Sequence, residues 1–249
     1  MEVACQVRRK DEEGLILTAR DLEILEFLND MGPMSVEPLA LRFWKKGSQE
    51  GRLRGTRRRL SRLRDKNLID VILFNDPKYF YRTTALGVSA LKNLRPNRIQ
   101  ISATNQSSFN ITHSLLVAHV RVKLEQMGIV SSWRSERRIL LEDLPILKKR
   151  LQGKMKPYIP DGVYEGKGQS GILFELEHYP KSPHQRKSRI SNIKGLLSYL
   201  PDHYKSIHIV STNQTVTDSY KDLTKGLKVQ VQEIGELFSK DELAHVLNP

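Results

Sequence analysis

The sequence predicts an α/β chain of the α+β type in two parts. A small helical unit closed by a β-hairpin comes first, and a larger unit built on a mixed sheet follows. Three observations predict this. From Leu17 onward, apolar residues recur at helical spacing in successive segments and then alternate in two short runs about a turn. A polar stretch, "NLRPNRIQISATNQSSFN", breaks that pattern. Beyond it, helix-like and strand-like runs alternate, as when helices and strands share one sheet. The expected boundaries are 15–95 for the first unit, 96–110 for a linker and 111–249 for the second unit.

In the first unit, "LTARDLEILEFLNDMG" reads as a helix. Thr18 stands at the N-cap with Asp21 three residues on, close to a capping box, and Gly32-Pro33 ends the segment. "SVEPLALRFW" predicts a shorter helix starting near Ser35. A loop with Gly47, Ser48 and Gly51 follows. The third helix, "GRLRGTRRRLSRLRDKNLI", places Leu53, Leu60 and Leu63 on one face. Arg54, Arg58 and Arg62 repeat at i, i+4 and i+8 on the opposite face, with Arg57, Arg59 and Arg64 flanking. Like charges this close repel one another, and a polyanion lying along them would relieve the repulsion. Gly55 weakens the helix by about 1 kcal/mol against alanine. "LIDVILF" and "KYFYRTT" about "NDPK" predict a hairpin, and "TTALGVSALKNL" a closing helix.

Three helices followed by a hairpin make a winged helix-turn-helix. Its third helix is expected in the DNA major groove, with Lys78 and Arg82 of the hairpin on phosphates. A solvated arginine face or a protein-docking surface is the rival reading. The helix order and the place of the arginines favour DNA.

In the second unit, "ITHSLLVAHVRVKLEQMG" predicts an amphipathic helix and "IVSSWRSERRIL" a strand. "DLPILKKRLQGKMKPY" is basic and irregular. "IPDGVYE" and "GILFELEHY" read as two strands around the loop "GKGQSG", which lacks the spacing of a phosphate-binding P-loop. A helix from "HQRKSRISNIKGLLSYLPDHY" carries Ile190, Ile193, Leu197 and Leu200 as its core stripe. "SIHIVST", "TVTDSYKDLTKGL" and "KVQVQEI" complete the order as strand, helix and strand.

The 249 residues carry a formal charge of +13, which points to a polyanionic partner, nucleic acid above an anionic membrane. No apolar run nears the roughly 20 residues of a membrane span, so no membrane partner is expected. The single cysteine, Cys5, excludes an internal disulfide framework and a Cys-cluster zinc site. With no apolar run at the N-terminus to mark a secretory signal, a cytoplasmic location is expected.

Asp161, Glu175 and Glu177 are the candidate catalytic and metal-binding residues. Residues i and i+2 of a strand share a face, so the two glutamates project together. Antiparallel pairing sets the start of the first strand, with Asp161, beside the end of the second. Three converging carboxylates repel unless a cation bridges them or protons neutralise them, and Mg²⁺ or Mn²⁺ suits an all-oxygen site. Lys187 and Lys194, one heptad apart on the next helix, are the candidate cations for water or phosphate. The alternatives are a turn-capping Asp161 and glutamates on a solvated strand face. The histidines show no i, i+4 pair; His113 and His119 stand six apart and read as structural or exposed.

"PD", then "ELE" some residues later, then a basic amphipathic helix resembles the PD-(D/E)xK nuclease superfamily, whose core is restriction-endonuclease-like. Glu177 stands where that pattern has lysine, so Lys187 or Lys194 would have to replace it. Together with the N-terminal helices, "TTALGVSAL" and "THSLLVAHV", the chain resembles the replication-relaxation (MobC-like) family of plasmids and integrative elements. The resemblance implies a mobile-element protein that binds an origin-like site and nicks, relaxes or processes it. On that pattern Lys194 and Tyr199 match the helix's lysine and tyrosine, and Glu136 an early acidic position. The expected partners are double-stranded DNA, other mobilisation, replication or transposition proteins, and a second copy of the chain. A regulator or accessory factor with an inactive nuclease fold, and an endonuclease of another lineage, remain as alternatives.

Overall fold

The computed structural model describes residues 17–74, 78–96, 101, 111–145, 148, 158–166, 168–179 and 181–247. It is a mixed α+β chain whose backbone contacts separate two compact units, Met1–Ile111 and Thr112–Pro249. Among the described residues, no helix is long and apolar enough to cross a membrane.

In the first unit the order is α1 (Ala19–Met31), α2 (Val36–Phe43), α3 (Gln49–Asp65), β1 (Ile69–Phe74), β2 (Lys78–Thr83) and α4 (Ala85–Leu94). The α1 capping box is complete: the Asp21 N–H donates to Thr18 Oγ1, and the Thr18 N–H to Asp21 Oδ2 at 2.9 Å. α3 starts at Gln49, before the expected Gly51, because the Ser48 hydroxyl accepts from the Gly51 N–H. Leu60 and Leu63 are buried, but Leu53 is only half-buried. Thr56 completes the inward face instead, its hydroxyl donating to the Arg52 carbonyl at 2.8 Å. β1 and β2 pair antiparallel from Ile69↔Thr83 to Phe74↔Lys78; the turn residues 75–77 lie outside the described set. Met34, between α1 and α2, bridges to Tyr81 and ties the hairpin to the helices. Of the expected linker, Ile101 is buried and its backbone exchanges two hydrogen bonds with the Asn29 side chain, at 2.8 and 3.0 Å; residues 97–100 and 102–110 lie outside the described set.

In the second unit, α5 (Ile111–Gln126), β3 (Ser132–Ser135), α6 (Glu136–Glu142), β4 (Gly162–Gly166) and β5 (Gln169–Glu177) come first. Then follow α7 (Pro183–Tyr199), β6 (Ser206–Ser211), α8 (Gln214–Leu223), β7 (Val229–Glu233) and α9 (Lys240–Leu247). The strands form one five-stranded sheet in the order β3-β4-β5-β6-β7. β3, β4 and β5 are antiparallel, whereas β5, β6 and β7 are parallel. The expected strand through "SERRIL" ends at Ser135. There the Ser135 hydroxyl accepts from the Arg138 N–H and starts α6, a local cap that overrides the strand pattern.

The two sheet faces differ. Val163, Leu173, Ile207 and Ile209 pack with Ile190, Ile193 and Leu196 of α7 and Val216 and Tyr220 of α8. On the opposite face Trp133 stacks on Tyr164 at 5.9 Å, while Phe174 meets Trp133 and His208 at 5.0 and 5.8 Å. Arg121 of α5 lies over the Trp133 ring. β5 is the middle strand, so its alternating residues serve both layers.

Candidate functional site

In the first unit, α3 carries an arginine surface. Arg54, Arg57, Arg58, Arg62 and Arg64 are all exposed. Arg57 and Arg64 face Glu50 and Asp65 at 3.8 and 3.9 Å across solvent, pairs worth little. Among the described residues, no carboxylate lies within ion-pair distance of Arg54, Arg58 or Arg62. Arg59 differs: it is mostly buried, pairs with Asp21 at 2.7 Å and donates to Thr18 Oγ1, so it fastens α3 to the start of α1. Arg82 faces Asp70 directly across the hairpin at 3.0 Å. Lys78 opens β2, and its side chain lies outside the described set.

The hairpin adds a feature that charge alone did not suggest. Leu73 and Tyr79 are cross-strand partners and are 69% and 57% exposed. Val71 and Tyr81, two residues along, share their face. Burial raises the Tyr81 hydroxyl, while the charges of Arg64 and Arg57 pull it back down. Those arginines therefore sit close enough to act on the hairpin. The signal lay in "VILF" and "YFY", which are apolar at outward as well as inward positions.

In the second unit the three predicted carboxylates do come together, around an arginine. Gly162 pairs with Phe174, so Asp161 falls opposite Glu175. Arg189 of α7 enters between them. Its Nη2 meets Glu175 Oε2 and lies 3.7 Å from Asp161 Oδ2, and its Nη1 lies 2.9 Å from Glu177 Oε1. Lys181 Nζ donates to Glu177 Oε2. The Tyr158 hydroxyl donates to Glu175 Oε1 at 2.5 Å, and its ring lies beneath the guanidinium. His113 Nε2 sits 3.0 Å from Asp161 Oδ1, and the Leu176 N–H donates to Asp161 Oδ2 at 2.7 Å. Both glutamates are 1% exposed.

The surroundings set each charge. Burial would raise Asp161, but His113, Arg189 and the Leu176 N–H outweigh it and hold the carboxyl below its usual range. Burial would lower His113, and Asp161 reverses that, so the imidazole is raised. Burial pushes Glu175 up to about 8, against the pull of Arg189. Arg189 is raised beyond its ordinary value because the carboxylates outweigh its own desolvation, and it stays charged. Glu136 lies on α6, where its N–H donates to the Asp161 carbonyl at 3.3 Å. Desolvation first, then the Asp161 charge, raises its carboxyl.

Lys187 and Lys194 are exposed on α7, and none of the cluster's ion pairs involves either. The helical wheel gives the reason. At 3.6 residues per turn, Arg189 lies about 45° from the middle of the core stripe, whereas Lys194 and Lys187 lie about 95° and 115° away. Tyr199 is likewise exposed, at the end of α7. Arg189, Lys181, His113 and Tyr158 are the residues that sequence reasoning missed.

The expected Mg²⁺ or Mn²⁺ does not fit this donor set. A hard cation binds through free oxygen lone pairs. Here the six carboxylate oxygens of Asp161, Glu175 and Glu177 already face a guanidinium, an ammonium, an imidazole, a phenol and a backbone N–H. Among the described residues, no group of three or more His, Cys, Asp and Glu side chains is arranged to hold a metal ion.

Comparison with family models, curated proteins and solved structures gives no match. The functional reading therefore rests on geometry and charge.

Proposed function

We propose that the chain binds duplex DNA through its first unit and acts as a non-cutting regulator or accessory factor in DNA processing. One observation carries this reading: Arg54, Arg58 and Arg62 form an exposed row on α3 without carboxylate partners among the described residues. Holding like charges in a row costs free energy that a phosphate backbone recovers through counterion release. The helix–helix–helix–hairpin–helix order supports a winged helix-turn-helix, with α3 in the major groove. The hairpin, with Arg82, Leu73 and Tyr79, supplies a second contact beside it. In the second unit, a helix, three antiparallel strands, a crossover helix and a parallel strand support a nuclease-like architecture. The occupied carboxylates argue for its use as a scaffold. This agrees with a mobile-element protein of the kind the sequence resembles.

The test is fluorescence anisotropy with a labelled duplex. Wild-type chain should bind, and the triple variant Arg54→Ala, Arg58→Ala, Arg62→Ala should bind weakly. Equal affinity of the two would remove the basis of the proposal.

A second reading, metal-dependent nicking, is favoured by the convergence of Asp161, Glu175 and Glu177 on one point. It requires that supercoiled DNA be nicked with Mg²⁺ or Mn²⁺, not with EDTA, and not by Asp161→Asn.

A further inference from the structure

We infer that Arg189 is the permanent cation of the carboxylate cluster, standing where the sequence pattern calls for a divalent metal, so that this unit is held together by an arginine and takes up no Mg²⁺ or Mn²⁺ at Asp161, Glu175 and Glu177. The inference extends the non-cutting reading of the second unit and is independent of DNA binding by α3.

Four observations support it. The planar guanidinium presents separate N–H groups to different carboxylates, which a lysine ammonium on the same helix could not match in geometry. Arg189 serves Glu175 through Nη2 and Glu177 through Nη1, with Asp161 near the same Nη2. Lys181 takes Oε2 of Glu177, leaving Oε1 to Arg189. The basic groups also match the carboxylates one for one: Asp161 faces His113, Glu175 faces Arg189 and Glu177 faces Lys181. Finally, the cluster ties together elements far apart in sequence. His113 comes from α5, Asp161 from the start of β4, the glutamates from β5 and Arg189 from α7. A metal would have to displace an internal cation that is covalently part of the chain and therefore always present at high local concentration.

The experiment uses the full chain and MnCl₂ as probe, with thermal unfolding and Mn²⁺ electron paramagnetic resonance as readouts. Wild-type chain and Asp161→Asn should show the same Mn²⁺ binding, and EDTA should leave the wild-type midpoint unchanged. Arg189→Ala should unfold at a clearly lower temperature, and Mn²⁺ should raise its midpoint saturably while leaving wild type unmoved. Should Arg189→Ala yield no folded protein, Arg189→Lys, which keeps the charge and loses the fork, takes its place and should show the same lowered midpoint. Saturable Mn²⁺ binding to wild type that Asp161→Asn abolishes would overturn the inference. So would an Arg189 variant as stable as wild type. Neither result touches the DNA-binding test, which varies α3 alone.

Discussion

Replacing Arg54, Arg58 and Arg62 by alanine should change how DNA binding responds to salt as well as how tight it is. Each phosphate neutralised on B-DNA contributes about 0.9 to the slope of log K against log salt. Three arginines on three phosphates therefore contribute about 2.7. Between about 50 and 200 mM salt, that share alone amounts to about a 40-fold loss of affinity. The triple variant should lose its affinity less steeply by that factor over the same range. Its fold should persist, because these side chains are exposed and make no ion pair with described residues. Anisotropy titrations at several salt concentrations give both slopes, and circular dichroism checks the fold. Parallel salt dependences in a folded triple variant would refute the assignment of α3 to phosphates. Arg59→Ala should behave differently, lowering stability through loss of the Asp21 and Thr18 contacts and changing the salt slope little.

Three further outcomes are expected. Glu175 is held above its ordinary 4.5, at about 8, so its contribution to stability is full below 4.5 and is lost as pH rises through about 8. His113, also raised, works in the same direction, whereas Asp161, lowered, loses its contribution as pH falls below its ordinary range. Between about pH 5 and pH 8 the wild-type denaturation midpoint should fall more steeply than that of Glu175→Gln, and equal slopes would contradict the burial argument. Gly87→Ala would set a Cβ 2.1 Å from the Leu68 carbonyl oxygen, so it should cost about 1–3 kcal/mol in thermal or urea unfolding; an unchanged midpoint would show that the close approach is easily relieved. Gly55→Ala should not deliver the usual gain of about 1 kcal/mol for a helix interior, because the added Cβ lies 2.8 Å from Trp44 Nε1; a full gain would mean that the indole moves freely.

The parts legible in the sequence were those that local chemistry decides. The Thr18–Asp21 cap, the hairpin pairing and the shared face of Glu175 and Glu177 all follow from spacing within a few residues. The place of Asp161 beside Glu175 needed only one step more, the antiparallel register about the "GKGQSG" loop. The cation differs from the expected lysine because of helix geometry. Lysine belongs to the resembled nuclease pattern, whereas the wheel sets Arg189 between the buried Ile193 and Leu196 and leaves Lys187 and Lys194 exposed. His113 had no such signal, since a helix far upstream delivers it through tertiary packing. Thr56 illustrates the same limit: a polar residue satisfied by its own helix can fill an apolar face, and hydrophobic periodicity passes over it. α6 was hidden because a serine cap outweighed the alternation of the residues around it.

The two-sided character of β5 has a consequence for how the chain finds its fold. Glu175 and Glu177 point toward Arg189, while Phe174 lies among Trp133 and His208 on the other face. A slip of one residue in pairing would exchange the two sets. Two carboxylates would enter the aromatic layer, and Phe174 and Leu176 would face the guanidinium. Leaving even one charge buried and unpartnered costs about 3–5 kcal/mol, a large share of the about 5–15 kcal/mol that holds a typical domain. An apolar strand of the same length would tolerate either alignment far better. The glutamates of β5 thus proofread its register, since the native alignment is the one in which both meet their basic partners.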